Sequence, residues 1–209
     1  MRIGVIGAGM IGSTLGKLWS DAGHEVKLSS RHPDSLGPVI AGMGPRASAG
    51  TPEEAAAFGE AALLAVPFGA LAEIGPRLSP SLAGKVVLDA GNPFPHRDGA
   101  AAAEALRSGR GSGRWTADRL PGARVVKAFN TVFFRTLAGE AHRAGDRIGV
   151  PLAGDDPAAL EVAAGLVRDA GFDPVVVGPL DRAHDLDPDS PVWNKAMSGR
   201  AMRHLFGLS

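Results

Sequence analysis

The chain has 209 residues with 22 basic and 22 acidic side chains, so its formal net charge at neutral pH is zero. This length fits one α/β domain with a sizeable core, and the balanced charge argues against nucleic acid or an anionic membrane surface as a partner. The sequence has no cysteine, which excludes disulfides and thiolate chemistry, and no tyrosine, which excludes a tyrosine acid.

The positions of the histidines and of the apolar residues argue against two further classes, metal-binding proteins and membrane-spanning proteins. The six histidines form no close pair of the kind that binds zinc on a helix, so we expect no metal site. No apolar run reaches the roughly 18 residues that would span a bilayer. We therefore expect a cytoplasmic protein with no membrane or nucleic-acid partner.

The first 30 residues predict a βαβ unit. Residues 2–6 form an apolar, β-branched run typical of a strand, and apolar residues recur at helical spacing over 10–22. Gly23 follows at the position where a helix end favours glycine. Residues 25–30 then predict the second strand.

The same alternation continues to the end of the chain. Thr51 and Glu54 form a capping-box pattern at a helix start, and a helix over about 156–170 is flanked by the candidate N-cap Asp156 and by Gly171. Further strands are predicted at 62–66, 85–90, 123–129, 148–154 and 173–178. Apolar strands alternating with helices predict a doubly wound, mostly parallel α/β sheet with helices on both faces.

Two segments interrupt this regularity within the single domain expected over 1–209. We interpret residues 95–121, rich in glycine and arginine, as an irregular surface excursion with one short helix at about 99–107. Two interpretations of its arginines stay open: they face solvent, or they attract an anionic ligand. These arginines are Arg97, Arg107, Arg110, Arg114 and Arg119. Residues 193–206 predict a C-terminal helix whose apolar side chains suit either the core or a homodimer contact.

A glycine motif lies between the first strand and the first helix. Gly7-Ala8-Gly9-Met10-Ile11-Gly12 has the G-x-G-x-x-G spacing in a strand–turn–helix context, which indicates dinucleotide binding. Gly7 would form the tight turn, Gly9 would let a pyrophosphate approach the backbone, and Gly12 would allow close helix–sheet contact. The helix N–H groups at Met10 and Ile11 would face the phosphates.

The end of the second strand indicates which nucleotide is preferred. An NAD site would have an acidic residue there for the ribose 2′-hydroxyl, but this chain has Ser29-Ser30-Arg31-His32. Hydroxyls and a guanidinium suit a 2′-phosphate. The sequence therefore predicts NADP(H), although Arg31 could also simply face solvent.

Further candidate cofactor contacts follow the next strands. Val66-Pro67 and Asn92-Pro93 come directly after predicted strands, and open α/β sheets bind ligands beyond the carboxyl ends of their strands. Asn92 could contact a ribose or a carboxamide. Structural turns would have the same composition.

With these residues in place, the chain resembles the NADPH-dependent reductases of coenzyme F420, an 8-hydroxy-5-deazaflavin. The resemblance rests on GAGMIG at 7–12, SSRH at 29–32, AVPFGAL at 65–71, VVLDAGNPF at 86–94, VVKAFNT at 125–131 and PLAGDDPAAL at 151–160. It implies a Rossmann-type domain with the nicotinamide near Val66 and Pro67, and with the hydride acceptor beside Ala128, Phe129 and Asn130. A similar fold in membrane metalloreductases uses a flavin acceptor.

The chemistry separates three functional hypotheses. Hydride transfer to a deazaflavin or flavin requires mainly the alignment of two rings, whereas reduction of a small imine or carbonyl substrate requires a proton donor. Lys127 and His184, which is adjacent to Asp185, are the candidate acids, with a structural lysine and a solvated loop as the alternatives. A third hypothesis is an NADPH-binding redox sensor or partner protein without turnover.

Overall fold

The computed structural model describes residues 1–208, and one eight-stranded sheet runs through them. The strands are β1 (Arg2–Ile6), β2 (Glu25–Ser29), β3 (Ala47–Gly50), β4 (Ala61–Leu64), β5 (Val86–Asp89), β6 (Arg124–Lys127), β7 (Gly149–Gly154) and β8 (Asp173–Gly178). The α-helices are α1 (Met10–Asp21), α2 (Gly37–Met43), α3 (Pro52–Phe58), α4 (Leu71–Leu82), α5 (Pro95–Arg107), α6 (Ser112–Arg119), α7 (Phe134–Glu140), α8 (Pro157–Asp169) and α9 (Gly199–Leu205). Short 3-10 helices occupy Pro33–Leu36, Phe68–Ala70 and Leu180–Leu186.

The order of the strands creates a crevice at the centre of the sheet. The strands follow the order β3-β2-β1-β4-β5-β6-β7-β8, and β1 to β6 are mutually parallel. Strand β7 is antiparallel to β6, and β8 is parallel to β7. This confirms the doubly wound, mostly parallel sheet, and the chain reverses its direction of winding between β1 and β4, where such sheets bind ligands.

Both faces of the sheet are covered, as expected. Every residue of β4 and β5 is buried, and alternate residues point to opposite faces. Leu63 and Leu88 belong to the apolar cluster that also contains Trp19 of α1, whereas Leu64 and Val87 belong to a second cluster with residues of α4 and α6. Continuous apolar strands arise because neither face is left to solvent.

The predicted helix boundaries are confirmed by their caps. The amide of Glu54 donates to Thr51 Oγ1 over 3.2 Å, and the Glu54 carboxylate accepts from the Thr51 amide over 2.8 Å. Asp156 accepts from the amides of residues 158 and 159 at the start of α8. Gly23, after α1, has φ of +97°, which a glycine adopts without steric cost.

Residues 95–121 are more regular than predicted: the short helix expected at about 99–107 is present within α5, but the remainder of the segment is not an irregular excursion, because it contains a second helix, α6. Trp115 of α6 packs on Phe68 with a centroid distance of 4.4 Å, and Ala102 and Ala105 of α5 are buried. The first turn of α5, which a kink at Gly99 with φ of +58° separates from the rest, and the whole of α6 were not predicted.

The C-terminal helix is confirmed but is shorter than predicted. It spans Gly199–Leu205, with Ser198 Oγ accepting from the residue 201 amide. The residues before it lie against other parts of the chain: the Asn194 amide donates to the Thr131 carbonyl, and the Met197 carbonyl accepts from the Gly149 amide. These tertiary hydrogen bonds replace the helical ones. In the part of the chain described, no helix is both long and apolar enough to cross a membrane.

Candidate nucleotide site

The glycine loop after β1 has a backbone that side chains would block at two positions. Gly7 has φ of +109°, and a Cβ built there would lie 2.5 Å from the Ala65 carbonyl oxygen. A Cβ on Gly12 would lie 2.0 Å from the Gly7 carbonyl oxygen. Both positions therefore require glycine for the loop to turn tightly and for α1 to approach the sheet.

Gly9 differs from its two neighbours in the motif. A Cβ built on it would meet nothing within 4 Å, so the protein itself does not require glycine here. Gly9 is also the N-cap of α1, and no side chain among residues 1–208 caps that helix. The first amides of the helix, at Met10 and Ile11, are therefore left for another acceptor, as at helix N-termini that bind phosphate.

A cavity of about 690 Å³ extends from this loop. Its walls come from the glycine loop, the end of β2, the start of α3, the end of β4 and one face of α4. The lining residues are Gly7, Ala8, Gly9, Ser29, Ser30, Arg31, Thr51, Pro52, Glu53, Ala65, Val66, Pro67, Ala70, Glu73, Ile74 and Arg77. The structure thus brings together the glycine loop, Ser29 to Arg31, and the Val66-Pro67 segment, which sequence reasoning assigned to one cofactor.

The side chains after β2 have different roles. Ser29 is fully buried, and its Oγ accepts a hydrogen bond from the Gly7 amide over 3.2 Å, so it supports the loop and is not available as an exposed ligand for a 2′-phosphate. Ser30 Oγ accepts from the His32 amide over 3.1 Å. Arg31 and His32 are exposed, and of these two only Arg31 lines the cavity.

Asn92 and Asn130 form an amide pair beyond the ends of β5 and β6. Asn92 Nδ2 donates to the Asn130 carbonyl over 2.8 Å, and Asn130 Nδ2 donates to Asn92 Oδ1 over 3.1 Å. Asn130 Nδ2 also donates to the Leu186 carbonyl. Asn92 therefore joins two loops, and neither it nor the buried Pro93 lines the cavity within the described residues.

Lys127 lies in a buried ionic cluster that the sequence did not reveal. Its Nζ is 3.1 Å from Asp89 Oδ2 and also donates to the Gly91 carbonyl, and neither side chain of the pair is more than 1% exposed. Thr116 of α6 donates to the same carboxylate over 2.8 Å. This placement fits a structural lysine, since a general acid must reach its substrate.

The residues expected to contact the substrate at 128–130 are buried in this structure. Ala128 and Phe129 are at most 1% exposed, and the Phe129 ring packs edge-on against Trp19 and Phe172. Phe129 has φ of +63°, an uncommon backbone for a bulky residue. The Phe129 ring therefore lies in the core of the protein.

His184 forms the expected pair with Asp185, at 3.0 Å, while its Nδ1 lies 2.6 Å from the Asp181 carbonyl oxygen. The pair belongs to the 3-10 helix Leu180–Leu186 instead of a loop. The His184 side chain is 53% exposed, and the residue does not line the nucleotide cavity within the described residues.

The arginines of 95–121 do not form an open basic surface, because four of the five have acidic partners. Arg97 pairs with Asp98, Arg110 with Asp118, Arg114 with Asp155 and Asp181, and Arg119 with Glu104. Their charges are largely compensated where they lie. The idea that this segment attracts an anionic ligand therefore has no support in the structure.

The cavity also contains residues that sequence reasoning missed. Ala70, Glu73, Ile74 and Arg77 follow the i, i+3, i+4, i+7 spacing of one helical face. That spacing could have identified a shared surface of α4. It could not have shown that this surface faces the glycine loop.

The fold and the glycine-loop cavity define a Rossmann-type dinucleotide-binding protein. Residues 2–93 match the profile of the family "NADP oxidoreductase coenzyme F420-dependent", and the chain belongs to this family. A hypothetical protein from Sinorhizobium meliloti has a similar structure, with 30% identity, a TM-score of 0.81 and coverage of 93% of each chain. No curated protein matched.

Two further solved structures are similar to this chain. A candidate F420-dependent NADP-reductase from Arthrobacter sp. FB24 is 26% identical, with a TM-score of 0.72 and coverage of 89% of this chain and 88% of that one. An imine reductase from Streptomyces aurantiacus is 17% identical, with a TM-score of 0.63 and coverage of 89% and 60% respectively, and it shares the fold. The chain is accordingly an NADP-dependent oxidoreductase by family.

Proposed function

We propose that this protein transfers a hydride between NADP(H) and a deazaflavin of the coenzyme F420 type or a flavin. The observation that carries the proposal is the single cavity that joins the open Gly9 backbone to Arg31 and to the Val66-Pro67 segment. It offers a phosphate-binding end, a cation for a 2′-phosphate, and a strand end suited to a nicotinamide.

The residues present fit NADP(H). The uncapped start of α1 supplies free backbone N–H groups, and the space over Gly9 leaves room for a pyrophosphate. The exposed guanidinium of Arg31 lies on the cavity wall, where it can form charge-assisted hydrogen bonds to a phosphate. NADPH, when bound, supplies two electrons and a proton as a hydride.

The positions of the two candidate acids, Lys127 and His184, bear on which class of hydride acceptor the protein uses. Lys127 is enclosed in its ion pair with Asp89, and His184 lies outside the cavity lining in the part of the chain described. Neither is placed at the cavity wall to supply a proton to the oxygen of a carbonyl substrate or to the nitrogen of an imine. Transfer between two stacked rings depends mainly on orientation, which can lower a barrier by about 7 to 11 kcal/mol, so this arrangement favours a deazaflavin or flavin over an imine or carbonyl.

The test is an anaerobic acceptor screen with purified protein. NADPH oxidation is followed with coenzyme F420, with FMN and FAD, with a cyclic imine, and without acceptor, and reduction of each acceptor is followed in parallel. We expect stoichiometric reduction of the deazaflavin or a flavin. Turnover with the imine alone would overturn the proposal, and tight NADPH binding with no oxidation by any acceptor would favour the redox sensor.

Two variants calibrate the screen. Arg31→Asp should raise the KM for NADPH, because it replaces an attractive charge on the cavity wall with a repulsive one. Arg110→Asp makes the same change of charge at an exposed ion pair outside the cavity and should leave KM unchanged. A homodimer and a cytoplasmic location remain predictions.

A further inference from the structure

Two acidic residues line a cavity that should accept an anionic cofactor. Glu53 lies at the start of α3 and Glu73 on α4. A carboxylate near the adenosine ribose favours NAD, because it accepts a hydrogen bond from the 2′-hydroxyl and repels a 2′-phosphate. The presence of Glu53 in this wall therefore needs a physical account.

Glu53 lies close in the chain to the 2′-phosphate side of the cavity. Strand β3 pairs with β2 so that Gly50 is the partner of Ser29, and the Ser30 amide donates to the Gly50 carbonyl over 3.1 Å. Glu53 follows only three residues later and lines the same cavity as Ser30 and Arg31.

The carboxylate of Glu53 is paired, and its partner comes from the neighbouring helix α4. Arg77 Nε of α4 lies 3.2 Å from Glu53 Oε1, with the two side chains 55% and 45% exposed. The neighbouring Glu54 is committed to the helix cap at Thr51, so the acidic group of this turn that faces α4 is Glu53. Glu73 lies one helical turn before Arg77 on the same face.

We propose that Arg77 is a specificity-determining residue that masks the charge of Glu53, so that the cavity tolerates the 2′-phosphate of NADP(H). Arg77 acts here as a positioning and screening group through Glu53, without a required contact to the nucleotide. This inference rests on the NADP(H) binding of the proposed function and is independent of which acceptor is used. The two can therefore fail separately.

The experiment measures the equilibrium binding of NADPH and of NADH at low salt to the wild type, to a single variant at Arg77 and to a double variant at Glu53 and Arg77. Arg77→Gln exposes the Glu53 carboxylate and should raise the Kd for NADPH by about threefold to tenfold, since exposed charges a few ångströms apart in water interact weakly but measurably. The Kd for NADH, which lacks the 2′-phosphate, should change by less than about twofold. The difference should shrink at high salt.

The second variants separate masking from direct contact. Glu53→Gln combined with Arg77→Gln removes the exposed carboxylate and should return the NADPH Kd to within about twofold of the wild-type value, because no unpaired negative charge is then left on this wall to repel the 2′-phosphate. Arg77→Lys keeps the positive charge and should bind NADPH as the wild type does. Arg110→Gln, at the exposed ion pair with Asp118, is the matched control and should change neither Kd.

Each remaining outcome overturns the proposal. If Arg77→Gln weakens NADPH and NADH equally, Arg77 is structural. If it weakens NADPH but the double variant does not recover, Arg77 contacts the phosphate directly and does not act through Glu53. If wild-type protein binds NADPH and Arg77→Gln leaves its Kd unchanged, only this inference fails, whereas a wild type that binds no NADPH removes the proposed function as well.

Discussion

The amide of Gly7 donates a hydrogen bond to the buried hydroxyl of Ser29 over 3.2 Å. This contact fixes the turn of the glycine loop against the end of the neighbouring strand β2. The adjacent Ser30 is half-buried and lines the cavity. Two consecutive serines thus have separate environments, one buried within the protein and one at the wall of the cavity.

Ser29→Ala and Ser30→Ala should consequently differ. Ser29→Ala leaves the Gly7 amide without its partner and should lower the free energy of unfolding by about 1 to 3 kcal/mol, with similar losses of affinity for NADPH and NADH. Ser30→Ala should leave stability nearly unchanged and weaken NADPH more than NADH. Urea denaturation and nucleotide titration measure both effects, and a selective loss of NADPH in Ser29→Ala would contradict this division.

Gly9 and Gly12 provide a second contrast within one motif. Gly12→Ala forces a Cβ to within 2.0 Å of the Gly7 carbonyl oxygen and should destabilise the protein by about 1 to 3 kcal/mol or more. Gly9 has ordinary extended φ and ψ and open space around it, so Gly9→Ala should fold with wild-type stability and lose about tenfold or more in affinity for either nucleotide. Wild-type affinity in Gly9→Ala would show that no pyrophosphate approaches there.

The conformation of the glycine loop and of the nearby helix ends could be predicted from the sequence, because it depends on local residues. Gly7, Gly12, Gly23 and the cap at Thr51 each follow from the conformation of a few consecutive residues. The position of Phe129 was not predictable in this way, since its left-handed backbone and burial depend on rings more than 40 residues away in the sequence.

The same limit applies to charged side chains. The pairing of Lys127 with Asp89, and of Arg77 with Glu53, requires knowledge of which strands and helices are neighbours. Trp115 likewise belongs to a helix whose apolar face becomes evident only against Phe68. The composition of the arginine-rich segment 95–121 indicated an exposed surface, whereas Trp115 within it is buried.

Lys127→Met tests whether the buried lysine is structural. It leaves the Asp89 carboxylate buried without its ionic partner, and the expected loss is about 3 to 5 kcal/mol of unfolding free energy. Combining it with Asp89→Leu removes the unpaired charge and should recover part of that stability. If Lys127→Met instead keeps wild-type stability and loses turnover with unchanged NADPH affinity, the lysine is a catalytic acid after all.

Asp156 predicts an acid-dependent loss of stability. The hydrogen bond from the Arg124 side chain, supported by two backbone amides at the start of α8, lowers the pKa of Asp156 from 3.8 to about 2. A carboxyl whose pKa is lower in the folded state stabilises the protein above the unfolded value, and that contribution is lost as the pH falls towards 2. Thermal unfolding measured from pH 5 to pH 2 should fall less steeply in Asp156→Asn; identical slopes would contradict this linkage.

The most direct test of the account is the thermal unfolding of wild-type protein and Arg31→Asp with NADPH, with NADH and without nucleotide. At about 100 times its dissociation constant a ligand adds roughly 2.7 kcal/mol, which for a chain of this size raises Tm by about 5 to 10 °C. We predict that shift for NADPH with wild-type protein, a much smaller one for NADH at the same concentration, and its loss for NADPH in Arg31→Asp. Equal shifts with both nucleotides, or none with either, would contradict an NADP(H)-selective site in the glycine-loop cavity.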